Sequence, residues 1–332
     1  MAYTTIDDPT AYFKIQLYTG TGSSNAQTFA DTDTDMQPNM VWIKSRSDAF
    51  NHMLYDSVRG VHIHLKPDGT NAEATDSNAL TAFGSDGFTV GTNTDLNNSS
   101  DTYVAWCWKE SATAGFDIVL YTGNGTDDTD ISHSLSAVPD VMFAKKRSGT
   151  SNWNTYHKYV SSDPETDYLS LDNTDQIYDS AGYWSDEAPT SSVFTLGDGA
   201  TNTSSQTFVN YLFTSIKGYS KHGHFFGNGN ADGGFCYLGF RPAFVMVKRV
   251  NGTGPWIVFD NKRAGYNVSN YMLFAERTSN EDAGSTERIY LLSNGFKMLN
   301  SDVDHNGAES YVYMAFAEAP FVNSNGVPCN AR

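Results

Sequence analysis

The clearest pattern along the chain is a proline followed by an apolar run that ends in lysine. It occurs three times, at residues 38–44, 139–145 and 242–248. Proline fits the first residue of a strand, because no ladder hydrogen bond of importance is lost there. A short run of apolar residues without polar alternation indicates a strand covered on both faces. The sequence therefore predicts three central β-strands.

A second phrase alternates regularly and also recurs, at residues 102–106, 207–211 and 310–314. Successive side chains of a strand point to opposite faces, which places Tyr103, Ala105 and Cys107 on one face and Val104, Trp106 and Trp108 on the other. A shorter arm precedes each phrase, at residues 88–90, 194–196 and 296–298. Each arm and the phrase that follows it predict a hairpin.

A Gly-x-Gly turn completes the pattern at residues 20–22, 123–125 and 227–229, and all these phrases repeat with a period of 101 to 106 residues. Such a period indicates repeated structural units. We predict an all-β protein of three tandem β-sandwich units with a jelly-roll or lectin-like fold, at residues 1–114 (with an N-terminal arm), 115–221 and 222–332. The alternative is one closed structure with pseudo-threefold symmetry, such as a β-prism.

Composition narrows the function classes. The 332 residues carry a formal net charge of −17, which disfavours a nucleic-acid partner because phosphate binding needs a basic face. No run of 18 apolar residues and no signal-like N-terminus is found, so we expect neither membrane insertion nor secretion. The three cysteines form no Cys-x-x-Cys pair, in keeping with synthesis in a reducing cytoplasm.

Metal-binding patterns are incomplete. Asp302, Asp304 and Asn306 match the opening of a calcium loop, but the acidic residue of its twelfth position is absent. The alternative there is a solvated hairpin. The histidine pairs at residues 62–64 and 222–224 have the spacing of some metal sites but lack a recurring third ligand. We expect no cofactor, with calcium at the three-residue motif as the alternative.

One aromatic group does not repeat. Tyr183, Trp184 and Asp186 lie in a polar insertion found only in the second unit. An exposed tryptophan beside tyrosine and aspartate can stack on a sugar and bond its hydroxyl groups, so these three residues form a candidate glycan site. The alternative is a loop aromatic that packs against the edge of the sandwich.

Several phrases together resemble a family of tailed-bacteriophage proteins that is common among marine phages. They are the opening MAYTTIDDPTAYF and residues 18–22, 37–38, 56–60, 87–89, 103–106 and 315–321. Members of that family are usually taken for virion or tail-fibre-like proteins, and their function is poorly defined. The resemblance implies no catalytic residues. The second unit departs from the pattern because it lacks the aspartate that follows the second apolar strand of the other two.

From the residues and the resemblance we expect a non-enzymatic protein of the virion surface. The leading hypothesis is a tail-associated fibre or adhesin that contacts a host-surface glycan. The alternatives are a decoration or cement protein of the head or neck, and a glycan-cleaving tail enzyme. Other virion proteins, and further copies of the same chain, are the expected partners.

Overall fold

The computed structural model describes residues 3–29, 34–264, 267, 269–284, 286 and 288–329. Within these residues the chain is nearly all β, with 26 strands and two one-turn α-helices. The second helix lies in the polar insertion that carries Tyr183 and Trp184. The predicted all-β class is confirmed.

The elements fall into three series. The first contains β1 (Phe13–Thr19), β2 (Asn25–Thr28), β3 (Met40–Ser45), β4 (Met53–Asp56), β5 (Ile63–His64), β6 (Ala74–Thr75), β7 (Leu80–Gly84), β8 (Gly87–Val90), α1 (Thr94–Asn97) and β9 (Thr102–Trp108). The second contains β10 (Phe116–Thr122), β11 (Thr129–Ser132), β12 (Val141–Lys146), β13 (Trp153–His157), β14 (Asp167–Ser170), β15 (Tyr178–Asp179), α2 (Ala181–Trp184), β16 (Val193–Leu196) and β17 (Thr207–Phe213). The third contains β18 (Ser220–Phe226), β19 (Phe235–Tyr237), β20 (Phe240–Arg249), β21 (Trp256–Asp260), β22 (Tyr271–Phe274), β23 (Asp282–Ala283), β24 (Ile289–Leu292), β25 (Gly295–Met298) and β26 (Ser310–Pro320).

One strand order recurs in the larger sheet of each series. The sheets begin β1-β9-β3-β4, β10-β17-β12-β13 and β18-β26-β20-β21, and the last two continue through β14-β15 and β22-β23. We call the series β1–β9, β10–β17 and β18–β26 the first, second and third units. Their origin as copies of one sequence and the boundaries after residues 114 and 221 stay predictions, and the second boundary falls inside β18.

The pairing of residues between neighbouring strands shows which positions of the three units are equivalent. In each unit the final strand lies between the first strand and the proline-led strand. Thus Trp108 pairs with Phe13 and Met40, Phe213 with Phe116 and Val141, and Phe316 with Ser220 and Phe244. Trp108, Phe213 and Phe316 are therefore equivalent residues at the same end of three central strands.

A smaller sheet covers one face of each larger sheet. The smaller sheets have the orders β2-β8-β7, β11-β16 and β19-β25-β24. In the first unit, Tyr103, Ala105 and Cys107 point into the core between the two sheets, while Val104, Trp106 and Trp108 belong to a different cluster. The predicted alternation is correct, and the two-layer sandwich expectation holds.

The opposite faces of the three larger sheets meet in one common core. At its centre the ring centroids of Trp108, Phe213 and Phe316 lie 6.4, 5.6 and 5.9 Å apart. Edge-to-face rings at this spacing stabilise each other beyond the burial of their area. The three sandwiches therefore share one core.

Hydrogen bonds connect the units in a cycle. One ring nitrogen crosses each interface to a backbone carbonyl: Trp153 Nε1 to Lys66 at 2.8 Å, Trp256 Nε1 to Ser170 at 2.8 Å, and His52 Nε2 to Phe274 at 2.9 Å. Trp42 donates to Nδ1 of His52, and burial lowers the pKa of this histidine well below its usual value. The ring is therefore neutral with its proton on Nε2, which makes His52 a donor like the two tryptophans.

Candidate binding surface on the second unit

Trp184 lies inside the second unit. Its side chain is 0% exposed and packs edge-on against Tyr156, with ring centroids 5.9 Å apart. The expectation that this tryptophan is an exposed stacking platform is therefore wrong, and the alternative of packing against the sandwich is correct for this residue. Asp186 is exposed, as expected, and follows the left-handed Ser185 that ends α2.

The docking of α2 explains why Trp184 points inward. The amide of Gly199 donates to the carbonyl of Gly182 at 2.8 Å, and the hydroxyl of Thr201 donates to the carbonyl of Tyr183 at 2.7 Å. A Cβ on Gly199 would come within 2.4 Å of the same Gly182 oxygen, so only glycine permits this approach. The helix therefore lies flat on the β16–β17 loop with its tryptophan buried beneath it.

Tyr183 remains at the surface, where it joins two tyrosines that the sequence did not single out. Its ring stacks on Tyr168 with a centroid distance of 3.8 Å and an interplanar angle of 19°. Tyr168 is in turn the cross-strand partner of Tyr178, with centroids 5.8 Å apart. We call Tyr168, Tyr178 and Tyr183 the tyrosine ladder. Tyr178 is 45% exposed, and the other two are half-buried.

Among the three units, only the second has tyrosines at the two strand positions of the ladder. The residues equivalent to Tyr168 and Tyr178 are His64 and Ala74 in the first unit and Met272 and Asp282 in the third. Neither pair offers two aromatic rings. The common scaffold therefore does not require the ladder.

The surroundings of the ladder are polar and acidic. Burial, followed by a hydrogen bond with Tyr183 and by the nearby Asp175, raises the pKa of Tyr168 far above its usual value. At the end of α2 the Ser185 hydroxyl lies 2.7 Å from Asp127 and 2.6 Å from Asp128. The surface thus combines aromatic faces with neutral hydroxyl donors and carboxylate acceptors, the groups that bind a neutral sugar.

Asn306 of the calcium motif is buried and holds a turn. Asn306 is 1% exposed, and its amide donates to the carbonyl of Asn230 at 2.8 Å while its side-chain oxygen accepts from the backbone of Asn228. That oxygen is therefore already engaged by the Gly-x-Gly turn. Asp302 accepts from the backbone of Asp304 at 2.9 Å, and burial followed by the charge of Asp302 raises the pKa of Asp304.

Asn97 and Asn202 occupy the place of Asn306 in the other units. Both are fully buried, and each accepts from the backbone of its own Gly-x-Gly turn, at Thr21 and Asn124 respectively. These three asparagines hold the turns. In the described part of the chain, no group of three or more histidine, cysteine or acidic side chains is placed to hold a metal.

The histidine pairs do not come together either. His222 is buried in the common core, where burial lowers its pKa to about 4, while His224 is exposed beside Tyr159. His64 is also buried with a pKa lowered to about 4, and His62 precedes the strand with a φ of 71°. In each pair the two histidines differ in environment, so they do not form a shared ligand face.

The fold defines a class: an all-β protein in which three two-layer units surround one common core. A family described as "Domain of unknown function (DUF7483)" matches residues 8–320, which is most of the chain. The chain belongs to this family. No curated protein matches it. Among the described residues, none of the helices is both long enough and apolar enough to cross a membrane.

Proposed function

We propose that this protein is a non-enzymatic surface component of a virus particle that attaches to a host-surface glycan through the tyrosine ladder. The virion assignment rests on the resemblance to tailed-phage proteins. The glycan assignment rests on one observation of the structure. Three aromatic rings lie side by side at the surface of the second unit, and the most exposed is Tyr178, at 45%.

The ladder suits a sugar because of how its rings are held. Tyr168 and Tyr183 stack on each other, so the two rings hold each other in place at the surface. Tyr178 is held on β15 by its pairing with Tyr168, and its exposure leaves apolar ring surface for the C–H face of a pyranose. Fixed aromatic side chains lose little conformational entropy on binding, which favours affinity.

The scaffold supports the same function. Binding residues are usually positioned by a rigid framework, and here the framework is one core continuous through all three units. The strand pair β14–β15 extends from the sheet that contributes to this core. The ladder is therefore built on strands that the core holds in place.

The test is binding of the full chain to an array of bacterial surface polysaccharides, comparing Tyr178→Ala with Tyr159→Ala. Tyr159 is 37% exposed in the same unit but lies outside the ladder, and therefore serves as the matched control. Losing one stacked ring should weaken binding about tenfold, corresponding to roughly 1.4 kcal/mol. Equal binding by both variants and the parent chain would refute the assignment to the ladder.

A decoration protein is the second candidate, and the arrangement of the units favours it. Trp108, Phe213 and Phe316 surround a centre from which three similar units extend. One chain of this shape can meet a threefold or sixfold position of a particle. Antibody labelling of purified particles distinguishes the candidates, since label on the tail supports attachment and label spread over the head supports decoration.

A further inference from the structure

The edge strand of the smaller sheet in the third unit carries unusual outward residues. Phe235 and Tyr237 of β19 are 48% and 50% exposed. The cross-strand register identifies their equivalents as Ala26 and Thr28 on β2 and as Asp130 and Ser132 on β11. Those four side chains are small or polar. The two exposed rings are therefore not needed to build this strand.

The two rings are held in place by their neighbours. Phe235 lies over Gly295 of β25, where an added Cβ would come within 2.9 Å of two carbons of the ring. The hydroxyl of Tyr237 lies 3.2 Å from that of Tyr3, which itself donates to the carbonyl of Gly239 at 2.8 Å. The third unit and the N-terminal arm thus present three neighbouring aromatic side chains with restricted positions.

Lysines flank these rings. The Lys221 ammonium lies 5.5 Å from the centre of the Tyr237 ring, and the Lys217 ammonium lies 4.7 Å from that of Tyr3. Lys297 is the cross-strand partner of Phe235 and pairs with Asp232. Two cations therefore lie against aromatic faces in a chain whose net charge is −17. This local charge is opposite to that of the molecule as a whole.

The position of Lys221 argues against the addition of a further strand. Its ammonium donates to the carbonyl of Tyr237 at 2.6 Å, so a backbone group of the edge strand is already engaged. Lysine on an edge strand is a common means of blocking edge-to-edge pairing. A ligand that uses the ring faces and the cations fits this surface better than an extended peptide.

We propose that the basic aromatic strip, defined as Tyr3, Lys217, Lys221, Phe235 and Tyr237, binds a uronate-bearing polysaccharide. Aromatic faces accept the C–H surface of a sugar ring, and ammonium groups beside them attract its carboxylates. Because the rest of the protein repels polyanions, binding must be local to this strip. The inference extends the proposed glycan attachment to an acidic glycan, but at a surface separate from the tyrosine ladder.

The test uses the full chain with oligogalacturonate as the probe and dextran of similar length as the neutral control. Titration calorimetry should show oligogalacturonate binding that weakens with added salt and no comparable dextran binding. Lys217→Gln with Lys221→Gln should weaken binding at least tenfold and reduce the slope of log affinity against log salt by about one for each lysine. Phe235→Ala should weaken binding without changing that slope.

Phe226→Ala is the matched control, because Phe226 is 68% exposed in the same unit and lies outside the strip. It should bind like the parent chain, and thermal unfolding should show that all variants fold. Absence of oligogalacturonate binding, or full binding by the lysine variant, would overturn the proposal. So would self-association of the parent chain that the strip variants abolish, since the strip would then be an interface between copies.

The Tyr178→Ala variant separates this proposal from the previous one. It should retain oligogalacturonate binding, because the tyrosine ladder and the strip lie on different units. Weaker binding of Tyr178→Ala to the neutral polysaccharides of the array, with intact oligogalacturonate binding, supports both sites. Unchanged binding of that variant to the neutral polysaccharides refutes the ladder alone.

Discussion

Tyr211 donates its phenolic hydrogen to Asp56 across the interface between the second and first units, at 2.6 Å. The same carboxylate accepts from Arg59 at 2.5 Å, and both charged side chains are fully buried. A buried ion pair needs its remaining hydrogen-bonding capacity satisfied, and here the neighbouring unit supplies one of the partners. Trp106 and Asp260 form the same relationship between the first and third units, at 3.0 Å.

A glutamate extends each of these two charged clusters. Glu73 bonds Arg147 of the second unit at 2.7 Å and also contacts Arg59. Burial opposes ionisation of Glu73, but the two guanidinium groups outweigh it and lower its pKa. At the other interface Glu281 joins Arg46 to Arg263 in the same manner.

The interface between the second and third units contains the same backbone hydrogen bond as the interface between the first and second units, but the side chains around it differ. The amide of Ile177 donates to the carbonyl of Val250 at 3.0 Å, as that of Glu73 does to Arg147 at 2.9 Å. The residue in place of Asp56 is His157, and Val160 replaces the arginine three positions later. At this interface His157 and Val160 therefore stand where the other two interfaces have an aspartate and an arginine, and Nε2 of His157 lies 3.2 Å from the carbonyl oxygen of Tyr313.

This substitution pattern predicts strong coupling between Glu73 and Arg147. Arg147→Val alone should lower the free energy of unfolding by about 2 kcal/mol, since it leaves a half-buried carboxylate short of one partner. Adding Glu73→Ile should restore at least half of that loss, because the pair then matches Ile177 and Val250. Urea denaturation of the parent chain, Arg147→Val, Glu73→Ile and the double variant measures the coupling energy between the two residues. Additive losses would contradict it.

Alternation along single strands was enough to predict the β class and the two apolar faces of each central strand. It did not predict what covers the second face. Trp106 and Trp108 mark an apolar strand face. The sequence pattern of that face is the same whether the layer that buries it comes from their own unit or from a neighbouring unit. Tyr168 and Tyr178 lie on strands of four and two residues, too short for alternation to show which face they share. Trp184 has polar neighbours, and only the docking of a one-turn helix turns it inward.

Substitution of Trp184 tests whether its indole is part of the core. Trp184→Ala removes a fully buried indole and should lower the free energy of unfolding by about 3–5 kcal/mol. Trp184→Phe fills most of the space and should cost considerably less. Chemical denaturation monitored by circular dichroism distinguishes the two variants. An alanine variant as stable as the parent chain would mean that the indole is not part of the core.

The buried asparagines should matter for stability although they resemble ordinary turn residues. Asn202→Ala removes the acceptor of the Asn124 amide and the donor to the Thr126 carbonyl, which lie 2.9 and 2.8 Å away. We expect a loss of about 1–3 kcal/mol and faster amide exchange at Asn124. The exposed Asn152→Ala is the control and should change neither property. Unchanged exchange at Asn124 would show that the turn does not depend on Asn202.

Lys248 predicts a dependence of stability on pH. Its side chain is 0% exposed, and burial lowers its pKa to about 8 despite the attraction of Glu276. The unfolded chain keeps the ordinary lysine pKa, so between pH 8 and about 10.5 the unfolded state binds more protons than the folded state. The cost of burying this ammonium is therefore fully present below pH 8 and is relieved as the pH rises.

The ammonium of Lys248 also donates to three backbone carbonyls. The stability change caused by removing the ammonium at any one pH therefore combines several contributions. The variation of that stability change with pH reports the titration alone. Between pH 7 and pH 10 the parent chain should gain about 2 kcal/mol relative to Lys248→Met. The exposed Lys262→Met should show no such change relative to the parent chain, and a constant difference for Lys248→Met across this range would mean that Lys248 titrates as an ordinary lysine.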